Sequence, residues 1–283
     1  MPDIFITPEI EATLALPNTH IVVSFSGGKD SECTLHALHT RYGATHPIHV
    51  VFSDTGNEYT DDADGRWVSA MRWCIQRAAA YGYGLHIVKN RRRTLPEEVL
   101  ERGRFPSPSQ RWCTAHHKRG PIERFIRSLK ADNILAVKGI RADESDARAE
   151  QSPWEPYVKL TVKRAKNTGR PRTTWAWLPI HRWVIDDVLA YVEEYELPLH
   201  PIYQYQERFS CQWCFFYSPK AIVALYDNNR RAFDECHKLE LATNFTLSPT
   251  RKFLPQIVAE YKARGKHWEP VTKPYARRYD CDY

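Results

Sequence analysis

The chain is predicted to fold as an α/β protein, a doubly wound parallel sheet of five strands followed by a small, mainly helical region that carries cysteines. Three features lead there. Apolar runs of strand length alternate with segments of helical period, the order that places parallel strands beneath covering helices. A glycine turn, Ser26-Gly27-Gly28-Lys29-Asp30-Ser31, follows the first apolar run directly and opens a helical segment. Beyond Pro201 the alternation stops, and the chain becomes helical and rich in Tyr, Phe and Cys.

The strands fall at 21–26, 49–53, 85–89, 134–140 and 175–179. Between them, 31–42 sets Cys33, Leu35, Ala37 and Leu38 on one broad face, and 63–81 is a longer amphipathic segment. Cys33 and Cys74 lie inside these patterns and read as small buried hydrophobes. A helix over 121–130 has Pro121 in its first turn, and another over 186–194 is kept short by Pro198. The stretch 157–174 interrupts the rhythm. Tyr157 to Val162 alternates like a strand, which predicts an inserted hairpin with a basic loop at its tip. No internal repeat is present. The organisation is therefore an α/β domain over 1–200 and a cysteine-containing subdomain and tail over 201–283.

The glycine turn suits an anion. Two successive glycines permit positive φ and close main-chain approach, so N–H groups converge where the helix starting near Asp30 points its positive end. Ser26 and Ser31 add hydroxyls, Lys29 a point charge, and Asp30 a carboxylate for Mg²⁺ or for a helix cap. The spacer of a Walker loop is missing, and so is the dinucleotide fingerprint. The plain alternative is a capped Gly-Gly turn with no ligand. A strand before, a helix after and serine on both flanks weigh against it.

Composition bounds the class. A chain of 283 residues that is 42% apolar buries a sizeable core. No run of 18 apolar residues and no basic-then-apolar leader is seen, so the cytoplasm is the expected location and no membrane partner is expected. The net charge of +6 favours an anionic partner only modestly, because 34 acidic residues sit among 40 basic ones. Clusters say more than the total. Residues 163–172 carry five basic and no acidic side chains and are followed by Trp175 and Trp177, the two residue kinds that phosphate contact and base stacking need. Arg91-Arg92-Arg93 and Arg277-Arg278 are smaller clusters, and any one of the three also reads as a solvated loop.

Seven cysteines without a secretory leader point to metal or redox use rather than disulfides. Cys211 and Cys214 form a C-x-x-C that presents two thiolates, a pattern that fits zinc, an iron–sulfur cluster or a redox dithiol. Cys113 stands far earlier, at the start of a predicted helix. Cys281 stands three residues from the end, between two aspartates.

The loop resembles the pyrophosphate loop, Ser-Gly-Gly-x-Asp-Ser, of the N-type ATP pyrophosphatases and their relatives the sulfonucleotide (PAPS/APS) reductases. The resemblance continues, in order, through Phe52-Ser53-Asp54-Thr55-Gly56-Asn57-Glu58, then Arg111-Trp112-Cys113-Thr114 with Lys118 and Pro121, then Lys138-Gly139-Ile140-Arg141-Ala142-Asp143-Glu144-Ser145, Pro179-Ile180 and Cys211-Gln212-Trp213-Cys214. It covers residues 20 to 218. A fold of the HUP/PP-loop type is implied, with the nucleotide held by Ser24, Ser26, Gly27, Gly28, Lys29, Asp30, Ser31, Asp54, Thr55, Gly139 and Arg141. Asp30, Ser31, Lys118 and Arg141 are the implied catalytic groups: Asp30 helps place Mg²⁺, while Lys118 and Arg141 neutralise phosphate charge. A salt bridge from Arg141 to Asp143 or Glu144 is the bland alternative.

Iron–sulfur members of the resembled family hold a [4Fe–4S] cluster with a cysteine of the Cys-Thr block and a later C-x-x-C. This implies Cys113, Cys211 and Cys214, with Cys236 as fourth ligand, His116, His117 or His237 as other options, or a fourth iron left open. Structural zinc and plain buried thiols stay as alternatives. APS reductases carry adjacent cysteines where Trp112 precedes Cys113 here, and the Glu-Cys-Gly tail motif of the reductases lacks its glycine at Cys281.

In reductases the loop is usually degraded, whereas here it is complete. The expected function is therefore an ATP pyrophosphatase of the PAPS-reductase-like family that adenylates a substrate, a nucleic acid, for iron–sulfur-dependent sulfur transfer. In look it is closest to the subunits of DNA phosphorothioation systems and to similar phage proteins. A sulfur donor such as a cysteine desulfurase is implied, as is a homo-oligomer or a place in a larger complex. A PAPS/APS reductase releasing sulfite and a non-catalytic nucleotide-binding component are the alternatives.

Overall fold

Successive side chains of a strand point to opposite faces, so a sheet of wholly apolar strands must be covered on both. The computed structural model, which describes residues 2–61 and 67–269, does this. In β1 (Thr19–Ser24), Ile21 and Val23 enter one hydrophobic cluster and Val22 the other; in β2 (Ile48–Asp54), Val50 and Phe52 part from Val51 in the same way. With β3 (Leu85–Lys89), β4 (Asn133–Lys138), β5 (Trp154–Pro156) and β6 (Thr173–Trp177), they form a six-stranded sheet in the order β3-β2-β1-β4-β6-β5. All neighbours are parallel except the β5–β6 pair.

Helix α1 (Pro8–Leu14) precedes the sheet, α2 (Lys29–Tyr42) connects β1 to β2, and α3 (Ala70–Ala80) connects β2 to β3. A Thr94–Glu97 capping box starts α4 (Leu95–Arg102). The short α5 (Trp112–Thr114) then runs through a π-helical turn, Ala115–Arg119, into α6 (Gly120–Ser128), which buries Ile126 in the second cluster. Beyond β4 come α7 (Asp146–Ala149) and α8 (Ile185–Glu194), and α8 packs on α2. The last helices, α9 (Pro219–Asn228), α10 (Arg230–Thr243) and α11 (Leu254–Ala263), place Val223, Phe233, Leu254 and Val258 in the same cluster as Ile21 and Val50. The chain order reverses between β1 and β4, and the crevice at the strands' carboxyl ends opens at that switch point.

Five strands match the predicted ones to within two or three residues. The sixth, β5, is not legible in the sequence, since three residues ending in Pro156 carry no period. Residues 157–162, predicted as a strand, form turns instead and keep a single bridge, Val162 to Arg172. The basic stretch they enclose lies at the strands' amino ends: Asn167 donates to the carbonyls of Ser128 and Leu129, and Arg170 lies 3.7 Å from Asp132. That is the edge opposite the glycine loop. Trp177 is in the core, and the half-buried Trp175 stacks on Trp154 with ring centroids 4.7 Å apart. Cys33 and Cys74 are fully buried, as expected. Cys281, Arg277 and Arg278 lie outside the described residues.

Where β4 ends, Gly139 lets its backbone pass the start of α2. A Cβ there would meet Asp30 O at 2.7 Å and Thr34 Oγ1 at 2.8 Å. Gly139→Ala is expected to cost about 1–3 kcal/mol, as overpacked sites do, measured by urea unfolding against the parent.

Candidate functional site

β1 delivers the chain into the crevice, and Gly27 turns it with φ of +83°. The turn is held from outside. A Cβ on Gly27 would strike Cys74 Sγ at 2.7 Å and Trp73 Cδ1 at 2.9 Å, and Trp73 Nε1 donates to Gly27 O at 3.2 Å. Within the loop, Ser31 Oγ donates to Gly28 O at 2.9 Å and lies 3.1 Å from Ser26 Oγ. Tyr203 Oη accepts from Lys29 N at 3.0 Å, tying the loop to a segment far along the chain. Gly28 caps α2 without a side chain, which leaves the helix's positive end for a ligand.

Asp30 and Arg141 sit differently from what the resemblance implied. Asp30 Oδ1 accepts from Arg141 Nε at 2.6 Å and Oδ2 from Lys29 Nζ at 2.8 Å, so both oxygens are engaged. Arg141 is fully buried, and its Nη1 donates to Asp143 Oδ2 at 2.6 Å. The predicted phosphate-neutralising cation is thus an interior clamp, and Asp30, which also lines the cavity over the loop, is its counter-ion. Burial opposes ionisation of Asp30, but Lys29 and Arg141 outweigh it and hold the carboxyl below its usual range. Arg141 Nη2 is buried without a partner, the kind of unmet group that a site keeps for function.

The cations at the ligand side are others. A polar cavity of about 270 Å³ is lined by the loop together with Lys138, Gly139, Glu144, Arg148, Arg208 and Phe209. Arg148 pairs with Glu144, while Lys138 lies over the Tyr157 ring at 5.7 Å and has no ion-pair partner among the described residues. Burial, helped by Arg119, lowers the Lys138 pKa. Lys138 belongs to one of the sequence motifs, where it stands only as a strand end. Tyr203, Arg208 and Phe209 carry no signal in the sequence at all.

A second, apolar cavity of about 190 Å³ shares Ser24, Ser26 and Phe209 with the first and runs past Phe25, Phe52 and Ile122 to Lys118 and Cys211. Its rim includes Glu58, whose Oε1 accepts from Thr55 N at 2.9 Å and Oγ1 at 2.7 Å; burial is the first cause that raises its pKa, with Asp54 adding to it. Asp54 itself accepts from Gly56 N at 2.9 Å within that turn, and Thr55 is buried. Both shape the wall rather than line the cavity.

Cys113, Cys211 and Cys214 gather around Lys118. The Cys211 charge is the largest influence raising the Lys118 pKa, with Cys214 and Cys113 adding to it against burial. Burial and then Cys211 raise Cys113, and the same two causes push Cys214 up to about 11. The π turn makes this convergence possible: Ser53 Oγ donates to His117 O at 2.6 Å and anchors the turn to β2 while Lys118 enters the cavity. Cys236 is not among them. It lies in the apolar core on α10, and the charge acting on it is that of Glu240. His116 and His117 both face Glu98, at 2.8 and 2.7 Å, and His237 faces Glu240 at 3.1 Å. Three thiols beside one cation match an iron–sulfur site in chemistry but supply three ligands, not four. Among the described residues no set of three Cys, His, Asp or Glu closes into metal-binding geometry as packed, and no helix is long and apolar enough to cross a membrane.

A glycine phosphate loop at the switch point of a doubly wound sheet defines a nucleotide-binding protein of the PP-loop class. Residues 20–218 match the phosphoadenosine phosphosulfate reductase domain, and the chain belongs to that family. It is similar to the uncharacterized protein MJ0066 of Methanocaldococcus jannaschii, 30% identical over 69% of this chain; it spans 36% of that protein's length. Among solved structures, it is similar to the phosphoadenylyl-sulfate (PAPS) reductase of Candida auris in its phosphate complex, at 19% identity, covering 71% of this chain and 84% of that one with a TM-score of 0.45. It is also similar to the U34-tRNA thiolase NcsA of Methanococcus maripaludis with its [4Fe-4S] cluster, at 18% identity, covering 92% and 78% with a TM-score of 0.46.

Asp30→Asn leaves Arg141 buried with half of its charge partners, a change that costs about 3–5 kcal/mol at neutral pH. Because the folded-state pKa lies below the ordinary 3.8, Asp30 contributes its full stability above that value and loses it as pH falls through the depressed one. Urea unfolding of parent and variant at pH 7 and pH 3 is expected to show the gap narrowing in acid.

Proposed function

We propose that the protein is an ATP pyrophosphatase that activates an acceptor oxygen for replacement by sulfur. The observation that carries this is the polar cavity, which continues past an intact loop to Lys138, Arg148 and Arg208. At that position a sulfonucleotide carries one singly charged sulfuryl group, which answers less of the charge than the β- and γ-phosphates of ATP. In this reading the α-phosphate sits where the two cavities meet, at Ser24 and Ser26, and the base lies against Phe25 and Phe52. The acceptor oxygen attacks the α-phosphorus, the α–β P–O bond breaks, and pyrophosphate leaves with the electron pair. The loop, the end of α2 and the flanking cations stabilise the departing charge, the effect that contributes most to such a step. Sulfide, set free from the persulfide of a donor such as a cysteine desulfurase by a dithiol reductant that ends as a disulfide, then attacks the activated acceptor, and AMP leaves with the C–O or P–O electron pair.

Asp30 and Arg141 act as positioning residues that hold the loop. A magnesium ion accompanying the phosphates would meet Asp30, which lines the polar cavity and keeps a lone pair on each oxygen beyond those taken by Arg141 and Lys29. Cys113, Cys211 and Cys214 would hold an iron–sulfur cluster through three sulfurs, and the group when bound supplies an open iron for sulfur. Lys118 sits between those sulfurs and the apolar cavity, where it stabilises thiolate and the negative charge arriving on the nucleotide.

Pyrophosphate release from ATP is the test. The parent is expected to release it, and Ser31→Ala, which removes the hydroxyl that braces the loop through Gly28 O and Ser26, to release it about a hundredfold more slowly, the scale of one lost preorganised contact. Sulfite released from PAPS or APS without ATP turnover would overturn this reading in favour of a reductase, and silence in both assays in favour of a binding component. Anaerobically purified protein is expected to contain iron and acid-labile sulfide, lost in Cys211→Ser. A colourless protein with stoichiometric zinc would remove the cluster.

A further inference from the structure

A third cavity lies apart from these two. It measures about 720 Å³ and is lined by Arg91, Arg92, Arg93, Arg102, Arg124 and His116, with Glu98 and Glu101 as its acidic members. Arg93 pairs with Glu101 and Arg102 with Glu98, whereas Arg91 and Arg92 are exposed and have no ion-pair partner among the described residues. Arg124 turns its Nη2 to Lys89 O at 2.8 Å. Its pKa is lowered first by burial and then by the neighbouring charges of Arg91 and Arg127.

Placement gives the cavity its meaning. Residues 90–93 follow β3, so these arginines stand at the carboxyl edge of the sheet with the glycine loop. One wall is the π turn itself: His116 faces the arginines, and two residues on, Lys118 faces the apolar cavity and the cysteines. Asn90 Nδ2 donates to His116 O at 3.4 Å and closes the join.

We propose that this cavity binds the sugar–phosphate backbone of a nucleic acid strand and holds it so that a neighbouring position reaches the cysteine side of the π turn. A single phosphate is satisfied by one or two guanidiniums. With Arg93 and Arg102 already paired to Glu101 and Glu98, Arg91, Arg92 and Arg124 are left in an open cavity long enough for more than one phosphate in series, as a strand supplies. Backbone contact of this kind is blind to sequence and falls steeply with salt. The inference rests on the proposed sulfur transfer only for what the strand is brought to meet; the binding itself does not require it.

The experiment is fluorescence anisotropy of a labelled single-stranded oligonucleotide with the full chain, over a range of salt and without ATP. Arg91→Ala/Arg92→Ala is expected to bind about tenfold more weakly at low salt, for all sequences alike, with a salt slope smaller by about 0.7 for each phosphate that is no longer neutralised. Arg91→Lys/Arg92→Lys is expected to keep the slope, and the slow pyrophosphate release that water supports in place of the acceptor is expected to stay unchanged in both. A loop variant at the opposite edge, Lys163→Ala/Arg164→Ala, is expected to bind as the parent does. The proposal is overturned if that loop variant loses binding while the arginine pair does not, or if inorganic phosphate saturates the site with no gain from an oligonucleotide. Equally strong competition by polyglutamate of matched charge would overturn it in favour of an acidic protein. Binding that follows Arg91 and Arg92 in a protein that does not split ATP would sustain this inference and sink the proposed function, and pyrophosphate release without oligonucleotide binding would do the reverse.

Discussion

The buried contact between Arg141 and Asp30 is the constraint on which the nucleotide end of the molecule depends. Taking a guanidinium out of water costs several kcal/mol unless its partners are complete. Here Asp30 comes from the first turn of α2, Arg141 from the exit of β4, and Asp143 both accepts from Arg141 and takes the Ile185 N–H at the start of α8, at 2.8 Å. Three segments that bound the crevice are therefore joined through one cation. Gly139 allows the approach, since any side chain there would push β4's exit away from Asp30. The loop's shape is thus set by its neighbours before any ligand arrives, which is what makes a charge-stabilising site effective.

From that clamp the rest follows outward. The polar cavity lies over the loop, the apolar one leads from Ser26 to Cys211, and the arginine cavity lies beyond the π turn. Each is lined at the carboxyl edge of the sheet, where β1, β2, β3 and β4 all end. The amino edge carries the longer basic run at 163–172, but it faces away from all three.

How much of this is legible in the sequence depends on whether a property is local. The glycine loop, the parallel strands and the grouping of Cys113 with the C-x-x-C follow from runs and turns within a few residues or from an ordered set of motifs. The motif around Arg141 puts it at the correct edge, yet burial is a property of what packs from elsewhere, so a clamp has the same sequence signature as a phosphate ligand. Distance along the chain favours Cys236 as a fourth ligand, and the helical face it occupies turns it into the core. In a sequence, basic clusters are weighed by length. The sheet weighs them by edge, which favours the three residues Arg91 to Arg93 over the ten that end at Arg172. Tyr203 and Phe209 reach the loop from a segment whose irregular pattern gives no hint of direction.

The π turn over Ala115–Arg119 is an α-helix with one residue too many. Removing any one residue from it would restore regular winding and rotate Cys113 by about 100° relative to α6, since each residue of an α-helix turns the chain by that amount. The thiol and Lys118 would part while the helix, its caps and its buried face survived. The approach of the Cys113 thiol to Lys118 is therefore a matter of chain length in one turn, which a single inserted or deleted residue changes and no exchange of side chains reproduces.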